Sequence, residues 1–513
     1  MLIKIAMLAA FFIVTVLVGL IYSKQNLSAD DFVLGGRNVG SWLSALSYGT
    51  SYFSATVFVG YAGQFGWAFG TSALWIGIGN ALIGSLLAWV IFGRRTRVMT
   101  RSMAASTMPE FFEKRYGSRV FKLLSAVVIF IFLIPYTASV YKGLSGLFAA
   151  CFGIDMIWCI LGMAVLTSIY VIAGGYMGTA VNNLIQGMIM LVGIILIVTG
   201  VLNVNGGLAS SIELLSQQTC ETRPGLHGAF TSMFGPDPLN LLSVVILTSV
   251  GTWGLPHMIH KFYAIRDEKA IKKGTVISTV FAMIIAGGCY FIGGFGRLFY
   301  SADKIVFDDI IPTMVTTAMP DALIGLVLLV VLSASISSLA SLVITSASTF
   351  ITDFCKTINP DFFKGKRELN LIRLMCAAFI IISVVIALIP NSLITSLMGL
   401  SWGALAGAFL GPFLYGLFWK RTTIASIWAS MILGLGIVCS NAILHFTTPT
   451  VAGAAAMAAS LVIVPLVSII TPKPDKDKVD EIFSCYDVTV SVPQSVAIVN
   501  GSAPMKTPYS TDF

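Results

Sequence analysis

Apolar residues in this chain come in long, nearly unbroken runs separated by short polar or basic stretches. Runs of about 18–25 residues are the length that crosses a bilayer as a helix, whereas buried core helices and strands need far fewer. Such runs occur at about Met1–Tyr22, Trp42–Gly66, Gly70–Gly93, Val120–Phe152, Met156–Ala173, Asn183–Leu202, Leu239–His260, Thr275–Phe299, Leu323–Phe354, a tenth ending at Pro390, Leu393–Trp419, Thr422–Phe446 and Val451–Ile470. The pattern predicts an all-α polytopic membrane protein with about 13 transmembrane helices. The first run is read as a retained span, because it is long and no A-x-A site follows it.

Composition agrees. The 513 residues are 57 % hydrophobic and 11 % charged, with a mean hydropathy of +0.90, which excludes an ordinary soluble domain. The net charge of +8 is explained by where the basic residues fall. With the N-terminus outside and the C-terminus cytoplasmic, every Lys and Arg lies in an inner segment except Lys4, Lys142, Arg223, Arg297 and Lys304. No basic face or motif points to nucleic acid. The eight Cys are scattered without CxxC or metal-ligand spacing and are read as free thiols.

Two spans are interrupted. The second carries Gly49, Thr50, Ser51 and Ser54 where Leu or Val would be usual, and the seventh contains Gly251-Thr252-Trp253-Gly254-Leu255-Pro256. They lie five spans apart and so enter from opposite sides, as an inverted repeat of five helices requires; matched breaks of this kind point to a midplane site. The chain then divides into a first helix and cytoplasmic loop (1–41), a first repeat (42–202), an extracellular loop (203–238), a second repeat (239–419), two peripheral helices (420–470) and a polar cytoplasmic tail (471–513). The ninth span adds a stripe of hydroxyls, Ser338, Ser341, Thr345, Ser348 and Thr352, repeating at helical spacing. Two readings fit the stripe: tight helix packing through small residues, or a path for a small hard cation that prefers neutral oxygens.

Several motifs resemble one family. Ser337-Ser338-Leu339-Ala340-Ser341 followed by Ser346-Ala347-Ser348-Thr349, Ala173-Gly174-Gly175-Tyr176 with Gln186, Tyr136-Thr137-Ala138-Ser139, and Trp402-Gly403 through Gly411-Pro412 are similar to the sodium:solute symporter family, with its proline and pantothenate-type carriers. The resemblance spans roughly residues 5–470. It implies a LeuT-like 5+5 core and import of a small organic solute (amino acid, carboxylate, vitamin or sugar) across the plasma membrane, driven by Na⁺ as coupling ion with no other cofactor. It also implies a Na⁺ site made by Thr50 and Phe53 with Ala334, Ser337 and Ser338, and a solute pocket drawn from Ser51, Ser54, Tyr136, Trp253 and Trp402. Lys142 is a further candidate, either pairing with a solute carboxylate or reaching toward the membrane surface.

The chain departs from the family at three places. Proline carriers have Asp where this chain has Tyr52, many members have Trp-Thr-Asp where it has Val181-Asn182-Asn183, and aromatic positions of proline carriers read Thr248 and Thr252. Competing functions were weighed. Proton coupling requires a buried carboxylate, which the spans are expected to lack; a transporter-like sensor requires a soluble signalling domain larger than the tail; an enzyme requires a constellation such as HExxH, which is absent.

Overall fold

The structure is a computed structural model describing residues 2–23, 28–221, 225, 227–300, 305–363, 365–389 and 393–487. Lys24, Arg223, Lys304 and Lys364, counted in the charge pattern, and the tail beyond 487 lie outside these residues. The described chain is helical throughout. Its principal elements are α1 (Leu2–Ser23), α2 (Ser41–Tyr52), α3 (Thr56–Ser102), α4 (Arg119–Phe152), α5 (Met156–Val204), α6 (Pro238–Val250), α7 (Pro256–Tyr263), α8 (Glu268–Gly293), α9 (Asp321–Ser348), α10 (Lys366–Ala387), α11 (Ile394–Phe418), α12 (Ile424–Leu444) and α13 (Pro449–Ile470).

Eleven helices among the described residues are long and apolar enough to cross a membrane. The apolar runs numbered thirteen, and the difference is one of helical continuity. Helices α3 and α5 hold 47 and 49 residues, about 70 Å at 1.5 Å per residue, or twice the hydrocarbon thickness. Each bends at one glycine. Gly70 has φ 61° and ψ −137°, and a Cβ there would lie 2.1 Å from the Phe230 carbonyl oxygen. Gly175 has φ 55° and ψ −158°. Both conformations are costly for any residue with a Cβ and accessible at little cost only to glycine.

Helix α9 is the centre of the bundle. Every residue from Val327 to Thr349 is buried, enclosed by α1, α2, α4, α5 and α10. Its hydroxyls are therefore not the wet face of an amphipathic helix, since the helix has no such face. Small residues let its surroundings close tightly. A Cβ on Gly66 would fall 2.1 Å from the Gly293 carbonyl carbon, and one on Gly434 2.3 Å from that of Gly407.

Basic residues gather at one end of the bundle and hold backbone carbonyls there. Arg97 and Arg101 donate to the Ile265 carbonyl at 3.0 and 3.1 Å, Arg37 donates to Ala105 at 2.8 Å, and Arg115 to Gly416 at 3.0 Å. The chain brings these segments together from three separate loops.

Candidate functional site

Both predicted breaks are present, and each has a local cause. Helix α2 stops at Tyr52, Phe53 turns extended (φ −105°, ψ 112°), and a π-helical turn begins at Thr56. The Ala55 N–H, released from the helical ladder, donates to Ser335 Oγ on α9 at 3.1 Å. At the second break, α6 passes through a 3₁₀ turn at Gly251–Trp253; Leu255 is extended, and Pro256, which has no N–H to satisfy, opens α7.

Four of the five expected ion ligands, Thr50, Ala334, Ser337 and Ser338, come together where α2 ends against α9, and Phe53 is the residue at that end. Thr50, Phe53, Ala334, Ser337 and Ser338 are all buried. Ser338 Oγ lies 3.1 Å from the Ala334 carbonyl oxygen and 3.4 Å from that of Thr50, and it reaches the Ser51 carbonyl oxygen at 3.1 Å. Ser337 Oγ donates to Thr50 Oγ1 at 2.6 Å. A hard cation with oxygens at about 2.4 Å holds adjacent ligands at right angles about 3.4 Å apart. The oxygens around Ser338 already have that spacing. The Ser51 carbonyl is an addition, because its residue was expected on the solute side; its own Oγ instead pairs with Ser341 Oγ at 2.7 Å.

A second polar cluster lies beside the breaks. The Ser54 hydroxyl and the Trp402 indole N–H turn toward the Tyr136 hydroxyl. The Trp402 ring meets Tyr136 edge-on at 5.7 Å between centroids and stacks on Tyr52 at 6.1 Å. His257, one residue into α7, completes the group with its ring 5.6 Å from that of Tyr136. All four side chains are buried, yet Ser54 Oγ, Tyr136 Oη, Trp402 Nε1 and both His257 nitrogens complete no hydrogen bond of ordinary geometry with the described protein. Buried polar atoms of this kind, gathered beside both helix breaks, have capacity to hydrogen-bond a polar guest.

Two solute candidates lie elsewhere. Trp253 turns away, donating to the Ile83 carbonyl at 3.1 Å and packing on Phe92. Lys142 donates to the Ile389 carbonyl at 3.2 Å, at the end of the bundle opposite the basic loops. Its charge also faces Asp308, whose carboxyl burial holds well above the usual range, at about 6, against the lowering pull of Lys142 and of the Ile394 N–H. The protein thus provides a carboxylate neighbour for Lys142.

Three residues were misplaced or missed in the sequence. Lys261 had been counted in the basic loop, but it belongs to α7 and is buried, donating to Ser341 Oγ at 2.8 Å. The helix runs from Pro256 to Tyr263, so the apolar run was too short a guide to its end. His257 carried no motif; its position directly after the helix-opening proline was the available signal. The expected absence of a buried carboxylate is also corrected. Past Ser348, α9 continues as a π-helical turn over Thr349–Cys355, which rotates Asp353 inward to full burial, 3.9 Å from Lys122.

From the ion ligands, Ser341, Thr345, Ser348 and Thr352 descend α9 toward the basic end. Thr352 opens into a cavity of about 490 Å³ that is also lined by Asp30, Glu110 and Glu368 and by Lys356 and Lys366, with Lys356 paired to Glu368 at 2.8 Å. The hydroxyls thus lead to a mouth of mixed charge.

A broken-helix bundle with an oxygen site at one break and a polar pocket beside it is the architecture of a membrane transporter. Comparisons agree and narrow the class. The sodium:solute symporter family model matches residues 32–434, and the chain belongs to that family. Curated relatives include sodium/proline symporters of Staphylococcus aureus, 28 % identical over 455 residues, and of its strain JH9, 29 % identical over 458; both alignments cover 84 % of this chain and 84 % of the relative. Among solved structures, a Na⁺-coupled sialic acid symporter described as substrate-bound and outward-open superposes with a TM-score of 0.76 at 19 % identity, covering 92 % of this chain and 98 % of the other. A nucleobase-cation-symport-1 family transporter in a closed conformation gives 0.52 at 14 % identity, covering 88 % and 98 %. The chain shares their LeuT-like fold. It is a multi-pass membrane protein and a sodium-coupled solute symporter, not an enzyme.

Proposed function

We propose that this protein imports a small organic solute (amino acid, carboxylate, vitamin or sugar) across the plasma membrane, one step of the cycle being Na⁺ binding by Thr50, Phe53, Ala334, Ser337 and Ser338 with the Ser51 carbonyl. The observation that carries the reading is the set of buried neutral oxygens that Ser338 draws together from α2 and α9. The solute would sit between the breaks against Ser54, Tyr136, His257 and Trp402. Na⁺ bridging α2 and α9 would favour the conformation open to the outside, and solute binding would permit closure by rocking of the bundle. The bends at Gly70 and Gly175 support thirteen crossings in a five-plus-five arrangement, and the basic end supports a cytoplasmic C-terminus.

Uptake of labelled amino acids, organic acids, sugars and vitamins into proteoliposomes tests this. One solute should accumulate under an inward Na⁺ gradient and not under a pH gradient alone, and Ser337→Ala/Ser338→Ala should abolish that Na⁺-driven uptake. Asp353 gives a specific reason to keep proton coupling as the alternative. Accumulation driven by the pH gradient and lost in Asp353→Asn would establish that reading instead.

A further inference from the structure

Lys261 has no role in the reading above, yet its placement is unusual. It lies in the second half of a broken helix, 4 % exposed. Among the described residues no carboxylate comes within 4 Å of its nitrogen; its neighbours are Ser341 Oγ at 2.8 Å and the Tyr176 ring at 5.2 Å. A buried cation without a counter-charge is costly inside a membrane and is retained where it has work to do. Its one hydrogen-bond partner is the first hydroxyl below the ion ligands. Ser341 Oγ is also 2.7 Å from Ser51 Oγ and 3.1 Å from the Ser337 carbonyl oxygen. Two short contacts therefore join the ammonium to the ion site, placing it within about 6 Å of the Ser337 carbonyl.

We propose that Lys261 is a cation built into the ion path, standing in for a second coupling ion: its ammonium holds Ser341 Oγ next to the Na⁺ site, weakens Na⁺ binding by repulsion, and promotes Na⁺ release toward the cavity at Thr352. The inference rests on the Na⁺ site proposed above. The surroundings support it. His257 and His260 lie beside it on its own helix, buried, and neither supplies the negative charge that would neutralise the lysine. Two positive charges about 6–8 Å apart at an effective dielectric near 20 repel enough to change an affinity at least tenfold.

The test is equilibrium binding of ²²Na⁺ to the purified full-length protein in nanodiscs, comparing wild type with Lys261→Met, Lys261→Gln and Lys261→Arg. Removing the charge should tighten Na⁺ binding at least tenfold, or raise the bound Na⁺ from one to two per chain, while Lys261→Arg stays within about threefold of wild type. Lys261→Gln is read if Lys261→Met does not fold. Unchanged affinity and stoichiometry in a folded neutral variant overturn the inference and leave the Na⁺ site standing. Wild-type protein that binds no Na⁺ saturably overturns both.

Discussion

Substituting Ser338 by Ala isolates a single oxygen of the ion site. Its hydroxyl lies 3.1 Å from the Ser51 and Ala334 carbonyl oxygens and 3.4 Å from that of Thr50, so it sits at the middle of the ring. The substitution removes one ligand and adds no bulk. A hydrogen-bond-like contact to a charged group contributes about 1.5–3 kcal/mol, which converts to roughly 10–100-fold in affinity. The Ala334 carbonyl lies inside α9 and those of Thr50 and Ser51 at the end of α2, and the loss of one neutral hydroxyl contact should lower stability by only about 0.5–1.5 kcal/mol. The Na⁺ concentration for half-maximal uptake should therefore rise about 10–100-fold, while the maximal rate at saturating Na⁺ falls little. The assay is a Na⁺ titration of solute uptake in proteoliposomes, paired with a thermal melt of the same preparation. A folded Ser338→Ala protein with the wild-type half-saturation would refute the placement of Na⁺ at this ring.

Other parts of the site answer to separate measurements. Tyr136→Phe removes a hydroxyl that completes no hydrogen bond of ordinary geometry among the described residues, so the melting temperature should hold while the solute KM rises about tenfold; an unchanged KM would move the pocket elsewhere. His257→Gln should likewise weaken solute binding by about tenfold and leave ²²Na⁺ binding within twofold, because its ring faces Tyr136 and not the ion ring. Gly70→Ala forces a side chain to φ 61° and into the Phe230 carbonyl, and should lower the yield of monodisperse protein sharply, with a stability cost above about 2 kcal/mol. Asp308 titrates at about 6 in the folded protein, above its ordinary value, so the fold binds that proton more tightly than the unfolded chain does. Its contribution is thus fully present at low pH and declines as pH rises from about 4 to 6. Wild-type melting temperature should fall across that window relative to Asp308→Asn, and parallel profiles would contradict the assignment.

The breaks were legible in the sequence because they depend on local chemistry, whereas the proposed ion ligands came from the family resemblance. Glycine, proline and small hydroxyls inside an apolar run mark where a helix cannot continue, and no long-range contact is needed to see it. The stripe on α9 was legible as a period, but its meaning was not: a helix buried on all sides shows hydroxyls at the same spacing whether they pack or conduct, and the contacts to Thr50 and Ser51 come from residues of α2 far away in the chain. Continuity was hidden for the opposite reason. Gly70 opens one apolar run and Gly175 lies between two, so each reads as a boundary in the sequence, yet in three dimensions the helix resumes at once beyond a single residue of positive φ. Lys261 and Asp353 were missed because a charged residue at the end of an apolar run reads as the water boundary. Their burial is decided by neighbours far away in the chain, Ser341 for the lysine and Lys122 for the aspartate. Trp253 shows the same limit in reverse, since its place in the break did not determine which way the indole turned.

The most direct measurement of the central claim is the flux of both species at once. Once a transported solute is in hand, ²²Na⁺ and labelled solute entry would be counted in the same proteoliposomes, for wild type and Ser337→Ala/Ser338→Ala. The account predicts Na⁺ entry in fixed ratio to solute, dependent on solute being present, with both fluxes lost together in the double variant. Solute entry without accompanying Na⁺, undiminished in the double variant, would contradict it.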